Sequence, residues 1–400
     1  MKRAEMLTLS FACLLGMVIP FGMDIYIVAL PLISAQFDIS PGMARNLTFL
    51  FLITASASTL IYGPLSEIIG RRKALITGML ICTLGNAISA ISDSISMLLI
   101  SRLIAGFGAS AAPVLARVLL QDTIKDPVRV IQGFSWYALI SSTSPAIAPI
   151  IGAHLLVLFG YHSNFLFLSC FSLLIIAIML FFINESKTDP FECFSWHYFT
   201  QSLLQCLKNY RFIGFSVMAS LMFAANILYL TLSPFLFQHV FHLDQRQNSW
   251  LYLINTCAIV VGSLLLRSLI KYLPAKLLIR INIGLYLLST TFMLLSTLLS
   301  NSLILLLSGI ALMALAYGVL SPSFLAAGLN STAKYKGAAS AIQTCLRLSI
   351  TAIVGFSGFY IEHVTTVTLS AFLCTLSILV LLIYLLLHIR TPVWSKAANI

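Results

Sequence analysis

Long apolar runs recur from end to end of this 400-residue chain, and they constrain its fold more than any other feature. A bilayer core about 30 Å thick needs roughly 20 apolar residues per helical span. Of all residues, 60% are hydrophobic and only 9% are charged, against about 25% charged in ordinary soluble domains. We therefore predict an all-α membrane protein that crosses the bilayer many times.

The polar and charged gaps between these runs predict twelve transmembrane helices. They cover residues 6–32, 46–68, 74–92, 96–120, 130–156, 164–184, 208–236, 248–270, 276–299, 302–328, 337–361 and 366–388. The longest polar piece, residues 185–207, is expected to be a cytoplasmic central loop. It divides the chain into a six-helix N-terminal half, 1–184, and a six-helix C-terminal half, 208–400, with a short cytoplasmic tail. Two such halves around a midplane cavity form a known transporter architecture.

Basic residues are concentrated in every second gap between the spans. This pattern predicts the orientation of the protein in the membrane. Only Arg45 and Arg246 fall in one set of gaps, and Arg102 and Arg347 lie within spans, which leaves 19 of the 23 basic residues in the other set. The positive-inside rule assigns that set to the cytoplasm. Both termini are therefore predicted to be cytoplasmic.

Several function classes find no support in the composition and motifs. The net charge of +11 is spread over short gaps rather than clustered as in nucleic-acid binders, so we expect no nucleic-acid partner. The eight cysteines show no metal-ligand spacing. Neither an ATP-binding loop nor a catalytic signature is present, so we expect no enzyme activity, no cofactor and an ion gradient as the energy source.

Asp24 and Arg102 are the intramembrane charges of the first half. By the predicted boundaries, both lie on the order of 10 Å below the extracytoplasmic surface. They can form an ion pair, or exchange that pair for a proton. Because an intramembrane acid is by default a functional candidate, we expect Asp24 and Arg102 to couple transport to protons, with a fixed structural ion pair as the alternative.

The loop between the second and third spans carries the most specific motif, Gly63-Pro64-Leu65-Ser66-Glu67-Ile68-Ile69-Gly70-Arg71-Arg72-Lys73. We expect the tight reversal to need its glycines. This stretch resembles the signature loop of the major facilitator superfamily, which usually has Asp where Glu67 stands. The resemblance implies a conformational latch formed by Gly63, Glu67, Gly70, Arg71 and Arg72.

Two further stretches resemble the drug:proton antiporters of that superfamily, in particular the Bcr/CflA multidrug efflux branch. Met23-Asp24-Ile25-Tyr26-Ile27-Val28-Ala29-Leu30-Pro31 resembles their first-helix pattern, and its acid is Asp24. Leu99-Ile100-Ser101-Arg102-Leu103-Ile104-Ala105-Gly106 resembles their fourth-helix motif, whose arginine is implicated in proton transfer. The resemblance thus supports Asp24 and Arg102 independently of their depth.

The fifth span contains Ser144-Pro145-Ala146-Ile147-Ala148-Pro149-Ile150-Ile151-Gly152, which resembles the antiporter motif of exporters. Proline removes a helix hydrogen bond and glycine permits close helix contact, so Pro145, Pro149 and Gly152 can bend and pack this helix. An ordinary kinked membrane helix is the alternative. The motif departs from the usual Gly-Pro, since Ser144 precedes Pro145.

Arg117 near the end of the fourth span is expected to join the latch by pairing with Glu67, or else to anchor to lipid phosphate. Gln121 stands where Bcr/CflA relatives carry a second arginine. The resemblance is strong in the first half, whereas the second half matches mainly in hydropathy, loop charge and length.

Arg347 lies inside the eleventh span and must face the bundle interior or a wet cavity. It either contacts an anionic substrate or stabilises one conformation, and a structural counter-charge is the alternative. Further residues that could line the substrate cavity are Met23, Tyr26, Tyr137, Asn226 and Tyr229. Isolated polar or aromatic side chains of this kind are otherwise packing contacts.

Together these patterns predict a monomeric, multi-pass transporter of the bacterial inner membrane. The resemblance implies that it exports drugs or other small amphipathic molecules in exchange for protons by alternating access, and so confers antibiotic resistance. The predicted partners are a small-molecule substrate, protons and the lipid bilayer. A dedicated exporter or importer of one metabolite, such as a siderophore, is the alternative within transport, and a non-transporting membrane sensor is the alternative outside it.

Overall fold

The computed structural model describes residues 3–124, 126–183, 185, 196–269, 272–299, 302–332, 336–357 and 364–390, and every regular element in these ranges is a helix. Contacts divide the chain into two units, Met1–His197 and Tyr198–Ile400. The first unit contains α1 Arg3–Gly16, α2 Val18–Asp24, a 3₁₀ turn Ile27–Ala29, α3 Leu30–Gln36, α4 Pro41–Ile69, α5 Arg71–Ala90, α6 Ile95–Ala109, α7 Ala111–Thr123, α8 Pro127–Phe159 and α9 His162–Phe182. The second contains α11 Tyr210–His239, α12 Gln245–Leu269, α13 Ala275–Leu298, α14 Leu303–Asn330, α15 Lys336–Ser357 and α16 Thr366–Arg390, preceded by α10 Trp196–Lys208.

The prediction of an all-helical, multi-pass membrane protein is confirmed. Within the described residues, ten helical segments are long and apolar enough to cross a membrane. Two further helices, α8 and α12, contain the shorter apolar stretches Thr143–Phe159 and Trp250–Leu266. Large apolar side chains such as Phe181 and Ile304 point outward, with 81% and 80% of their surface exposed, as expected of a protein that contacts lipid.

The first span, predicted over residues 6–32, reaches from Arg3 to Gln36 and is not one regular α-helix. α2 ends at Asp24, and the chain tightens into a 3₁₀ turn before α3 begins with Pro31 in its first turn. Proline cannot donate a hydrogen bond to the preceding turn, which favours a break at this place. A stretch of 3₁₀ geometry inside a membrane helix often marks a functional hinge.

Small residues let helices in the first unit approach until their backbones touch. A Cβ atom at Gly85 of α5 would meet the backbone of Ala105 on α6, and one at Gly108 would meet the backbone of Cys82. The hydroxyls of Ser89 and Ser101 hydrogen-bond across the same contact at 2.6 Å. Close packing through small residues and hydroxyls replaces the hydrophobic effect, which does not drive helices together inside a bilayer.

The predicted central loop, residues 185–207, includes a helix in its described part. α10 starts at Trp196, and its Cys206 is fully buried against Phe212, Ala339 and Ile342 of the second unit. The described end of this segment therefore packs on the second unit.

Candidate functional site

Asp24 lies at the last residue of α2, where the first span leaves α-helical geometry. Its side chain is completely buried, and neither carboxyl oxygen has a hydrogen-bond partner among the described residues. Burial of an ionised carboxylate without a partner costs several kcal/mol, whereas a protonated carboxyl group is buried at far lower cost. The environment therefore suits a carboxyl group that takes up and releases a proton.

Arg102 on α6 is equally buried, and neutral groups stabilise its charge. Its Nη1 donates to Oδ1 of Asn86 on α5 at 3.1 Å, and its Nη2 donates to the carbonyl of Gly22 on α2 at 3.4 Å. Three aromatic rings surround the guanidinium carbon, which lies 5.1 Å from the centroid of Tyr26, 5.0 Å from that of Phe51 and 5.4 Å from that of Phe165. Each desolvated cation–π contact of this kind contributes on the order of 1–2 kcal/mol.

The ion pair between Asp24 and Arg102, which the sequence left open, is not formed among the ion pairs of the described residues. Arg102 nevertheless contacts both neighbours of Asp24 along the first span, because it bonds to the carbonyl of Gly22, two residues before the acid, and lies over the ring of Tyr26, two residues after it. The fold thus brings the Arg102 guanidinium to the segment that carries Asp24, while Asp24 takes no part in its hydrogen bonds.

Asn86, Phe51 and Phe165 are members of this site that sequence reasoning missed. Asn86 carries a signal that could have identified it, because it is a polar amide within an apolar span. The two phenylalanines carry none, since rings of this type occur throughout the spans. Only the packing of α4, α5 and α9 around α6 selects them.

The predicted antiporter motif lies in α8, which continues as one helix across Pro145 and Pro149. Gly152 touches the first span directly, since a Cβ atom there would overlap the carbonyl oxygen of Ile25. Ile25 follows Asp24 in the chain. The motif glycine therefore allows α8 to approach the break in the first span next to the buried acid.

The predicted cavity residues of the first unit are packed inside it. Met23 is 1% exposed and Tyr26 is fully buried, and the ring of Tyr137 packs against Gly16 of α1. An apolar cavity of ≈ 430 Å³ lies nearby between α1 and α8, with Cys13, Met17 and Trp136 in its lining. That volume is in the range of pockets that hold small organic molecules. Sequence analysis gave no indication of this cavity.

The residues of the predicted latch meet at the turn from α4 to α5. Arg71 is nearly buried and pairs through Nη2 with Glu67 at 2.6 Å and through Nε with Asp122 of α7 at 3.2 Å. Its Nη1 donates to the Ser66 hydroxyl at 2.7 Å. Gly70 makes the turn with φ +95°, a conformation that other residues rarely adopt.

Glu185 completes this cluster, and sequence reasoning did not place it there. Its carboxylate accepts hydrogen bonds from the backbone N–H groups of Arg71 and Arg72 at 2.9 and 3.0 Å, which caps the first turn of α5. The Arg72 side chain reaches the carbonyl of Leu180 at the end of α9. The first residue of the predicted central loop is therefore tied to the α4–α5 turn within the first unit.

Gly63 lies within α4 rather than in the turn, and none of the described residues would contact a Cβ atom there, so the expectation that the reversal needs it is wrong. Arg117 is partly buried on α7, five residues before Asp122, which pairs with Arg71. Its proposed pairing with Glu67 stays a prediction.

The second unit contains its own buried polar groups. The amides of Asn226 on α11 and Asn255 on α12 hydrogen-bond at 3.1 Å, and the Tyr229 hydroxyl is buried without a hydrogen-bond partner among the described residues. The guanidinium carbon of Arg347 on α15 lies 4.9 Å from the ring centroid of Phe223 on α11. Asn226 and Arg347 thus contact other side chains of the same unit.

The amino-acid sequence of this chain matches a known protein family. The model of the Major Facilitator Superfamily matches residues 12–356. A bicyclomycin resistance protein homolog of Haemophilus influenzae is 23% identical over 344 residues, covering 86% of each chain. The multidrug resistance protein MdtL of Shewanella oneidensis is 28% identical over 243 residues, covering 59% of this chain and 60% of that one.

The fold of this chain is similar to that of a solved transporter structure. The xylose transporter XylE from E. coli, in a partially occluded inward open conformation, superposes with a TM-score of 0.71 at 14% identity and covers 94% of this chain and 96% of that chain. At that identity the likeness shows the fold alone. The sequence prediction of the family is confirmed: this chain belongs to the Major Facilitator Superfamily, and it is a multi-pass membrane transporter rather than an enzyme.

Proposed function

We propose that the protein exports small amphipathic molecules, drugs among them, in exchange for protons. The observation that carries the proposal is the buried Asp24 carboxyl group, which has no hydrogen-bond partner among the described residues, while Arg102 is bonded to neutral groups that include the carbonyl of Gly22, two residues before Asp24. A carboxyl group in such surroundings couples proton uptake to conformation, because any rearrangement that brings water or a cation to it changes the cost of its charge.

The direction of transport rests on the fifth-span motif and on the relatives. Gly152 allows α8 to contact Ile25, the residue next to Asp24. A movement of α8 would therefore change the surroundings of the Asp24 carboxyl group. The printed names of two relatives refer to bicyclomycin resistance and multidrug resistance. The apolar cavity between α1 and α8 is of a size for such molecules. We place the protein as a monomer in the bacterial inner membrane, working by alternating access of two six-helix halves with both termini in the cytoplasm.

The proposal is tested by replacing Asp24 with Asn in the full chain reconstituted into vesicles that contain a pH-sensitive dye. Bicyclomycin and the dye rhodamine 6G serve as probes, and both substrate flux and substrate-induced proton flux are recorded. Asp24→Asn removes the proton site with little change in volume, so we expect it to abolish coupled flux of both probes.

Asp93→Asn is the matched control, because Asp93 is an exposed carboxylate between α5 and α6. It should retain wild-type flux. Wild-type protein that moves both probes equally well after a protonophore collapses the pH gradient would contradict proton coupling. Full coupled activity of Asp24→Asn would remove Asp24 from the mechanism.

A further inference from the structure

α10 lies at one end of the second unit, where three membrane-crossing helices begin or end. Its Cys206 clusters with Phe212 in the first turn of α11 and with Ala339 in the first turn of α15. Asn209, directly after α10, donates through Nδ2 to the carbonyl of Ser331 at the end of α14 at 2.9 Å. Each of α11, α14 and α15 contains a segment long and apolar enough to cross a membrane. α10 therefore lies at the level where the hydrocarbon core of the bilayer ends.

The side chains of α10 fall into three sectors around its axis. Ser202 and Cys206 form a buried sector, of which Cys206 packs on the second unit. Leu204 and Leu207 form an apolar sector, and 57% and 49% of their surfaces are exposed. The third sector is polar and exposed, and it consists of Gln201, Gln205 and Lys208. At 3.6 residues per turn the sectors are roughly 100–150° apart, which gives the helix one side for protein, one for hydrocarbon and one for water.

Lipid-facing side chains occur close to this level on α16. A Cβ atom at Gly214 of α11 would lie 2.7 Å from Cδ1 of Leu387, so the last turns of α16 lie beside the first turns of α11. Gly214 is five residues after Asn209, which is about 7 Å along the helix. Leu385 and Leu386, next to Leu387, point outward from this membrane-crossing helix and are exposed. The exposed leucines of α10 thus lie near a depth at which the second unit already contacts lipid.

The charge of this segment has one sign. Residues 196–239, which form α10 and α11, contain no Asp or Glu. Lys208 is exposed at the last residue of α10, and Arg211 donates through Nε to the Tyr210 hydroxyl at 3.3 Å. The ring of Tyr210 is 45% exposed, and tyrosine is enriched at the headgroup level of membranes. Anionic phospholipid headgroups are the complementary partner of such a basic, acid-free surface.

We propose that α10 lies in the headgroup boundary of the membrane and binds anionic phospholipids there. Leu204 and Leu207 enter the acyl region, while Gln201 and Gln205 face water. Lys208, at the edge of the polar sector, binds lipid phosphate groups and keeps its stem along the apolar sector. The inference goes beyond the proposed function, because it requires neither proton coupling nor a particular substrate.

The position of α10 is tested with nitroxide spin labels on single cysteines in the full chain, in a background that retains only the buried Cys206. The vesicles contain equal amounts of phosphatidylcholine and phosphatidylglycerol. We expect labels at Leu204→Cys and Leu207→Cys to be relaxed more by oxygen, which partitions into lipid, than by a water-soluble nickel complex. Labels at Gln201→Cys and Gln205→Cys should show the reverse.

Leu386→Cys on α16 is the matched lipid-facing reference, and the unsubstituted background should take up no label. The same relaxation pattern at all four α10 positions would overturn the interfacial position of the helix. Neither a gradient nor a substrate is used, so failure of this inference and failure of proton-coupled export are separate results.

The lipid preference is measured locally with a bimane fluorophore at Leu207→Cys and bromine-labelled lipids as quenchers. We expect brominated phosphatidylglycerol to quench more strongly than brominated phosphatidylcholine at the same mole fraction, and added salt to reduce the difference. Lys208→Gln should lower the apparent association of phosphatidylglycerol about fivefold. Lys73→Gln is the matched control, because Lys73 is an exposed lysine on α5 of the first unit, and it should change nothing. Equal quenching by the two lipids, or equal effects of the two lysine variants, would overturn the anionic-lipid site.

Discussion

Arg102 is stabilised by the side-chain amide of Asn86, the carbonyl of Gly22 and three aromatic rings. Of these groups, the Asn86 amide can be replaced by an apolar side chain through a single substitution without loss of volume. Its Oδ1 is the acceptor for Nη1 of the buried guanidinium. A cation that loses a hydrogen bond in a buried site has no water to replace it. The charge of Arg102 therefore depends on a residue of a different helix.

We expect Asn86→Leu to lower the free energy of unfolding by about 1–3 kcal/mol and to reduce coupled flux, because Nη1 of Arg102 is left without its acceptor. Thermal unfolding of the purified protein and the vesicle flux assay measure the two effects. Asn164→Leu is the matched control, since neither atom of its buried amide has a hydrogen-bond partner among the described residues. It should leave stability unchanged or raise it, and equal losses in both variants would argue against a role of Asn86 in holding Arg102.

The two glycines of the α4–α5 motif differ in what they do, which a matched pair of alanine variants can show. Gly70 has φ +95° and ψ 153°, and a Cβ atom there would lie 2.7 Å from Glu185 Oε2. We expect Gly70→Ala to cost about 1–3 kcal/mol through backbone strain and displacement of Glu185. Gly63→Ala, inside α4, should instead gain about 0.5–1 kcal/mol. Thermal unfolding separates them, and shifts of the same sign would contradict this assignment.

α8 contacts the first span at its break, next to Asp24. α2 ends at Asp24, and the carbonyl of Ile25 meets Gly152 of α8 directly. The α8 backbone approaches this break because residue 152 has no side chain. A helix that rests on a hinge can transmit its own displacement to the hinge.

We expect Gly152→Ala to abolish coupled flux, because its Cβ atom would push α8 away from Ile25 and change the surroundings of Asp24. The vesicle flux assay measures the loss. Gly284→Ala is the control within a helix, since none of the described residues would contact a Cβ atom there. Wild-type flux in Gly152→Ala would show that the close contact is not needed for transport.

Over the whole molecule, basic residues outnumber acidic ones by 23 to 12 and concentrate in alternate gaps between spans. The positive-inside rule turns this pattern into an orientation. It predicts that the α4–α5 turn and its ion pairs are cytoplasmic and that the α5–α6 connection is outside.

This topology is tested with single cysteines in a variant that lacks the eight native ones. Asp93→Cys, between α5 and α6, should react with a membrane-impermeant maleimide in intact cells. Gln121→Cys, exposed near the end of α7, should react only in inverted membrane vesicles. The opposite labelling pattern would reverse the orientation and with it the direction of transport.

Much of the architecture was determined by the sequence alone. Apolar runs of bilayer length have one stable solution when backbone groups must be paired internally, so an all-helical, multi-pass fold followed directly. The span boundaries, such as 46–68 against the observed Pro41–Ile69, differ by a few residues because apolarity changes gradually at a helix end. Motifs in the first half were specific enough to indicate the family. They also indicated Asp24, Arg102 and the α4–α5 turn as candidates.

Which residues meet was decided only by the tertiary structure. Asn86 lies 16 positions from Arg102 in the chain, and Glu185 lies 114 positions from Arg71, yet each pair is hydrogen-bonded. The same packing left Asp24 outside the hydrogen bonds of Arg102 and set Gly152 against Ile25. The physical reason is that hydropathy reports how deep a residue lies in the bilayer, whereas helix rotation and close approach depend on small residues and polar groups from distant segments.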